Sequence, residues 1–281
     1  MKFTKMQGLG NDYVYVNCLE SIPENAEKLA VKISDRHFGV GSDGLILICS
    51  SDIADFKMVM YNADGSVSEM CGNGIRCVGK YVRDKGLTDK DEISVETGAG
   101  IKYLKFHREN GETKLITVDM GAPILNGLDI PTVFDKNPVV AEPIEVDGAT
   151  YKTTCVSMGN PHSVVFLDKD TDLKAFDIDG IGSKFESHPA FPRRVNAEFA
   201  KVIKPGLLEM RVYERGTGET LACGTGTCAT HVAARLNGLT GDRSVVRLLG
   251  GELIIEWNGE GSVKMTGPAE FVFEGEYKWP E

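Results

Sequence analysis

A chain of 281 residues is about twice the usual single-domain length, so two domains are expected. Apolar residues at 42% and charged residues at 26% suit a globular protein and exclude collagen-like, low-complexity and disordered readings. With 31 Lys and Arg against 41 Asp and Glu, the net charge of −10 argues against nucleic acid as the main partner.

The opening run Met1-Lys2-Phe3-Thr4-Lys5-Met6 is basic with no apolar stretch behind it, so no secretory leader is expected. No segment approaches the roughly 20 apolar residues that cross a bilayer. Seven cysteines, an odd number, point to a reducing cytoplasmic setting and not to a disulfide framework.

Residues 3–7 and 13–17 are β-rich. Pro23 then stands where a helix is expected to begin, with Ala26, Leu29, Ala30 and Ile33 at helical spacing. The run Gly39-Val-Gly41-Ser-Asp-Gly44 matches a dinucleotide fingerprint, but a strand-like run (45–49) follows it where that fingerprint needs a helix. It reads as a turn. Residues 55–61 form a further strand, on which Phe56, Met58 and Met60 alternate. After Cys71, the residues Ile75, Val78, Gly79 and Val82 predict a helix ending at Gly86. Strands are expected at 92–97, 101–107 and 113–119, followed by a weakly patterned, proline-bearing stretch from Gly121 to Gly148 that carries the crossing between halves. After Cys223, Ala229, Val232, Ala233 and Leu236 predict a second helix ending at Gly238, with strands at 244–248 and 252–257. Small or apolar residues on the other faces of both helices (Cys77, Tyr81; Cys228, Ala234) imply helices buried nearly all round.

The chain also repeats itself. Tyr61, Cys71, Gly72, Gly74, Gly86 and Gly98 recur 152 positions later as Tyr213, Cys223, Gly224, Gly226, Gly238 and Gly250. Gly10-Asn11 recurs as Gly159-Asn160 at an offset of 149. So long a period signifies a duplicated domain, because solenoid units run to only about 20–50 residues.

Each half therefore carries one Cys-Gly-x-Gly just before a helix. There the backbone N–H groups lack intrahelical partners, the macrodipole is positive and a thiol pKa falls from about 8.5 toward neutrality. The glycines let a ligand carboxylate approach those N–H groups. Two such sites suit stereoinversion: one thiolate takes an α-proton from one face, and the opposite thiol donates a proton to the other. Cys18, Cys49, Cys77, Cys155 and Cys228 read as buried apolar residues. The C-x5-C and C-x4-C spacings argue against disulfide exchange. Zinc is not expected, since His231, the histidine near one pair, falls mid-helix and reads as structural.

These residues resemble the diaminopimelate epimerase family. The resemblance rests on MQGLGNDYVYVN (6–17), YNADGSVSEMCGNGIRC (61–77), SMGNPHSVVF (157–166), HPAFPRRVNAEF (188–199), VYERGTGETLACGTGTC (212–228) and VKMTGPAEFVFEG (263–275). It implies an α/β (α+β type) fold of two pseudo-symmetric domains, each a curved, mostly antiparallel sheet around a central helix, with the active site in the cleft between them. The halves are expected to be 1–119 plus 267–281, carrying Cys71, and 120–266, carrying Cys223. The implied activity interconverts LL- and meso-diaminopimelate on the route to lysine and peptidoglycan, without pyridoxal phosphate or a metal, in a cytoplasmic homodimer.

By the same resemblance Cys71 and Cys223 are the acid/base pair, and His162 and Glu214 tune the thiols. Asn11, Asn62, Asn160, Asn196, Glu214 and Arg215 contact the substrate, while Gly72-Asn73 and Gly224-Thr225 present N–H groups. Chemically, the distal end of the substrate needs a guanidinium for its carboxylate and oxygen acceptors for its ammonium, which Arg215, Glu214 and the asparagines supply. One departure stands out: many members carry glutamine where this chain has Gly44, so that part of the pocket is expected to be closed by something else. Proline and hydroxyproline racemases share the two-cysteine layout, but their substrates have no distal group for Glu214 and Arg215 to bind. Against a cofactor-free isomerase without thiol chemistry stand the two retained cysteines. A non-catalytic amino-acid-binding protein would use the same helix ends with inert thiols.

Overall fold

The computed structural model describes residues 1–279, so the last two residues of the expected first half, 280 and 281, lie outside the described residues. The chain divides into two compact units, residues 1–119 with 266–281 and residues 120–265.

In the first unit β1 (Lys2–Gly8) and β2 (Asn11–Cys18) form an antiparallel hairpin, and α1 (Ala26–Ser34) crosses over to β3 (Gly44–Cys49), which pairs parallel with β2. β4 (Phe56–Asn62) returns antiparallel to β3, with the short β5 (Val67–Ser68) beside it. A second crossover helix, α2 (Gly72–Asp84), leads to β6 (Glu92–Thr97), parallel to β4. The antiparallel strands β7 (Gly100–Glu109) and β8 (Glu112–Gly121) follow.

The second unit repeats this plan. β9 (Glu142–Val146), β10 (Ala149–Ser157) and β11 (Pro161–Phe166) form an antiparallel meander. α3 (Ile178–Glu186) crosses to β12 (Asn196–Lys204), parallel to β11, and β13 (Leu207–Glu214) with β14 (Gly218–Glu219) returns antiparallel. α4 (Gly224–Leu236) then crosses to β15 (Arg243–Leu248), parallel to β13, and β16 (Gly251–Glu256) pairs antiparallel with β15. β17 (Val263–Gly267) leads back into the first unit, where β18 (Glu270–Glu276) pairs antiparallel with β1.

Each sheet therefore has one helix on each face, and the two-residue period of the strands sorts side chains between them. In β3 every residue of Gly-Leu-Ile-Leu-Ile-Cys is buried. Leu45 and Leu47 pack with Leu29, Ala30 and Ile33 of α1, while Ile46 turns to α2. In β12, Ala197 and Phe199 pack with Phe185 of α3, while Glu198 turns to α4. A strand covered on both faces reads as a continuous apolar run, which makes the glutamate in the second unit conspicuous.

The helices α2 and α4 are buried nearly all round, as their composition implies. Gly86 and Gly238, just past their C-caps, have φ of 71° and 70°, the left-handed conformation that ends such helices. Three details differ from the sequence reading. Pro23 does not start α1; the helix opens at Ala26 behind the left-handed Asn25. The weakly patterned stretch 121–148 already contains β9 at Glu142–Val146. Helix α3 escapes the periodicity because Gly180 and Gly182 interrupt its apolar spacing. No helix among the described residues is long and apolar enough to cross a membrane.

Candidate active site

The strand-to-helix turns place both cysteines of the repeat at N-cap positions. Cys71 has φ −131° and ψ 120°, Cys223 has φ −118° and ψ 111°, and each sulfur accepts the backbone N–H of the glycine three residues on, Gly74 or Gly226, at 3.4 Å. The extended cap followed at once by helix is what brings sulfur and unpaired N–H groups to one spot. Gly72 and Asn73 open α2, and Gly224 and Thr225 open α4.

In the first unit the Cys71 thiol donates to Asn11 Oδ1 (3.2 Å), and the Nδ2–H of Asn11 donates to Asp43 Oδ2 (2.8 Å). Asp43 also accepts the backbone N–H of Asp12 at 3.1 Å and the Arg36 guanidinium at 2.9 Å. Asn62 ends β4 and donates to Ser66 Oγ at 2.9 Å. The Asn73 side chain is buried and accepts from Arg76 at 2.9 Å, so its amide is structural. Gly44 leaves no slot for the missing glutamine: an added Cβ would collide with the Tyr61 carbonyl oxygen and lie 2.8 Å from the Tyr13 ring. The backbone of β4 closes that position.

In the second unit Asn196 Nδ2–H donates to the Pro161 carbonyl and its Oδ1 accepts the Arg215 backbone N–H, both at 2.9 Å. That amide ties three segments of the sequence together and holds the turn bearing Glu214 and Arg215. Arg215 is exposed, one nitrogen donating to the Arg193 carbonyl at 3.1 Å. Glu214 accepts from the Thr220 hydroxyl. Thr225 Oγ1 lies 3.5 Å from Cys223 Sγ.

His162 is fully buried. Its Nδ1 lies 2.6 Å from Glu198 Oε1, and its Nε2 lies 3.0 Å from Asn160 Oδ1. Glu198 is absent from the set expected from the sequence, although it lies within the Arg-Val-Asn-Ala-Glu-Phe segment that carries part of the resemblance. The signal that would have found it is an ionisable residue set between Ala197 and Phe199 in the buried first half of β12.

The electrostatics modify one expectation. The helix start does favour a thiolate, through the Gly226 N–H, but burial outweighs it and the Glu214 and Glu198 carboxyl groups add to burial. The Cys223 thiol is therefore held well above its ordinary pKa, not lowered toward neutrality. Two cysteines away from the helix starts behave as apolar residues: burial pushes Cys77 up to about 11 and Cys155 up to about 12. His231 is buried, with Nδ1 2.7 Å from Ser244 Oγ, and its Nε2 has no hydrogen-bond partner among the described residues. It is a structural histidine satisfied on one side only.

Two repeated α/β units, each with a cysteine capping a buried helix, define a fold shared with solved proteins described as epimerases, racemases and phenazine biosynthesis proteins. Solved structures with this fold include a PhzF-family phenazine biosynthesis protein from Bacillus anthracis (TM-score 0.70, 17% identity, 99% of each chain). Another is a hydroxyproline epimerase from Agrobacterium vitis (TM-score 0.67, 14% identity, 98% of this chain and 90% of that one). The family model described as diaminopimelate epimerase matches residues 3–125 and 154–272. Diaminopimelate epimerases of Acetivibrio thermocellus (59% identical, 98% of each chain) and Methanococcus maripaludis strain C5 (54% identical, 98% of this chain and 99% of that one) align almost end to end. The chain belongs to the diaminopimelate epimerase family.

Proposed function

We propose that Cys71 and Cys223 are the acid/base pair with which this member of the family interconverts LL- and meso-2,6-diaminopimelate. The observation that carries the assignment is the repeated cap: two cysteines 152 residues apart, each accepting a helix-start N–H at 3.4 Å on a glycine-cleared turn. The N–H groups of Gly72-Asn73 and Gly224-Thr225 receive the α-carboxylate and stabilise the charge that builds on it as the α-proton leaves. One sulfur, as thiolate, removes that proton and becomes a thiol. The other, as thiol, delivers its proton to the opposite face and becomes a thiolate, so the carbon inverts and the proton count is unchanged. The raised pKa of Cys223 suits it to begin as the donor, and the reverse direction exchanges the roles.

Substrate selection falls to Arg215 for the distal carboxylate, to the Asn160 NH2 as a further carboxylate donor, and to Glu214 with Asn62 and Asn196 for the ammonium groups. Glu214 doubles as a tuning group for Cys223. Asn11, already bonded to the Cys71 sulfur, orients that thiol. Family resemblance supports a cytoplasmic homodimer, whose oligomeric state light scattering tests directly. For the activity, LL-diaminopimelate incubated with the protein in deuterated water should gain deuterium at one α-carbon as meso product accumulates. Failure of any α-deuterium to enter would refute the epimerase reading in favour of a binding protein.

A further inference from the structure

Two asparagines of the duplication, Asn11 and Asn160, present opposite ends of their amides. Asn11 spends its NH2 on the Asp43 carboxylate and turns its oxygen to the Cys71 sulfur. Asn160 spends its oxygen on His162 and leaves its NH2 without a partner among the described residues. A carboxylate fixes the first orientation, because it accepts only hydrogen-bond donors. The second depends on which nitrogen of His162 carries the hydrogen, and that is decided on the far side of the ring.

There Glu198 Oε1 lies 2.6 Å from His162 Nδ1, both groups fully buried. Burial, reinforced by the Glu214 charge, raises the Glu198 carboxyl far above the usual carboxylate range, and burial lowers His162 to about 3. At neutral pH both are uncharged. The carboxyl hydrogen is then donated to an unprotonated Nδ1, Nε2 carries the ring hydrogen, and Asn160 must turn its oxygen toward that N–H. Removing the donor at 198 frees the imidazole to move its hydrogen to Nδ1, and an Nε2 acceptor would draw the Asn160 NH2 toward the ring.

We propose that Glu198 is a positioning residue: acting through His162, it locks the Asn160 amide with its NH2 directed to the substrate. This deepens the epimerase reading and rests on Asn160 as a substrate contact. The Glu198 carboxyl faces Glu214 and the Cys223 and Cys155 thiols. Glu214 and Arg215 act on His162 from the end of β13, and the N-terminal turn of α4 lies against the carboxyl, with Oε1 2.6 Å from where a Cβ on Gly226 would stand. The equivalent register position in the first unit is Ile46, so the duplication itself does not demand a carboxyl here.

The test is a 15N spectrum of histidine-labelled full-length protein near pH 7.5, with steady-state kinetics on LL-diaminopimelate. Wild type should show His162 as the neutral Nε2–H tautomer; an imidazolium or the Nδ1–H form overturns the proposal without any variant. Glu198→Gln can still donate to Nδ1 and should keep both the tautomer and KM within about twofold. Glu198→Met removes the donor, so the tautomers should mix and KM rise about tenfold with a smaller change in kcat, as expected when a ground-state contact is lost. Asn160→Ala should raise KM similarly, and in the double variant the effects of Glu198→Met and Asn160→Ala should not add. Wild-type tautomer and KM in Glu198→Met, or equal damage in Glu198→Gln, would sink the lock. The spectrum needs no turnover, so an absence of deuterium exchange would count against the activity alone.

Discussion

Ile46 and Glu198 stand 152 residues apart and do the same steric job with opposite chemistry. Ile46 Cδ1 lies 2.8 Å from where a Cβ on Gly74 would sit, and Glu198 Oε1 lies 2.6 Å from the corresponding point on Gly226. The Cys71 and Cys223 sulfurs lie 3.7 and 3.3 Å from those same two points. Each side chain thus presses its helix start onto the strand, and only glycine leaves room for the sulfur to reach the turn.

Gly74→Ala and Gly226→Ala should accordingly displace the capping sulfur. Overpacking of this kind costs about 1–3 kcal/mol, and deuterium exchange should fall at least about 100-fold because the reacting group is misplaced. Gly86→Ala is the control: its φ of 71° strains alanine, yet no atom lies within 4 Å of the new Cβ. It should cost about 1–2 kcal/mol in a thermal melt and leave kcat/KM unaltered. A fully active Gly226→Ala would show that the turn tolerates a moved sulfur.

Cys71→Ser and Cys223→Ser should separate stability from chemistry. Serine is a strong N-cap and can accept the Gly74 or Gly226 N–H as well as sulfur does, so melting free energies should stay within about 1 kcal/mol of wild type. A serine hydroxyl is a far weaker acid than a thiol, so exchange should drop by about three orders of magnitude or more in each variant. Substantial turnover in either serine variant would contradict a two-thiol reaction.

The parts of this architecture legible in the sequence are those with a regular period or a repeated residue. The alternation of Phe56, Met58 and Met60 reappears as the burial of β4, and the apolar spacing after Cys71 and Cys223 reappears as α2 and α4. The cap sulfurs follow from Cys-Gly-x-Gly at the helix starts. What escapes is set by tertiary contacts. Glu198 sits among apolar neighbours where only the fold shows that α4 lies across it, and Gly180 and Gly182 break the apolar period of α3. The burial that raises the Cys223 thiol reverses the effect of the helix start, and burial is not written locally. Gly44 reads as a missing contact, but packing against Tyr61 leaves no space for any side chain.

Glu214→Gln should make Cys223 easier to ionise. Burial is the largest influence raising that thiol, and the Glu214 carboxylate is the next. Deleting a nearby negative charge favours the thiolate, so the pKa must move down. Site-resolved alkylation of Cys223 against pH should shift its midpoint to lower pH, while the Cys71 profile stays in place. KM should also rise, since Glu214 is assigned to the substrate. A Cys223 profile that does not move would remove Glu214 from the tuning role.

His231 should govern part of the acid sensitivity of the fold. Burial, with the Arg235 charge adding to it, lowers its pKa from 6.5 to about 4 in the folded chain, so the neutral ring belongs to the native state and the unfolded chain takes up the proton first. A depressed folded pKa contributes stability that is complete above about 6.5 and is lost as pH falls through about 4. The shift corresponds to about 3 kcal/mol. Replacing His231 by glutamine keeps a donor for Ser244 Oγ and removes the titration, so denaturant unfolding between pH 7 and pH 4 should show a shallower loss of stability than wild type. Parallel curves for the two proteins would mean that His231 is already protonated in the folded chain or reached by water. Because the ring lies on α4, eight residues beyond Cys223, the loss at low pH should appear together with loss of Cys223 protection from alkylation.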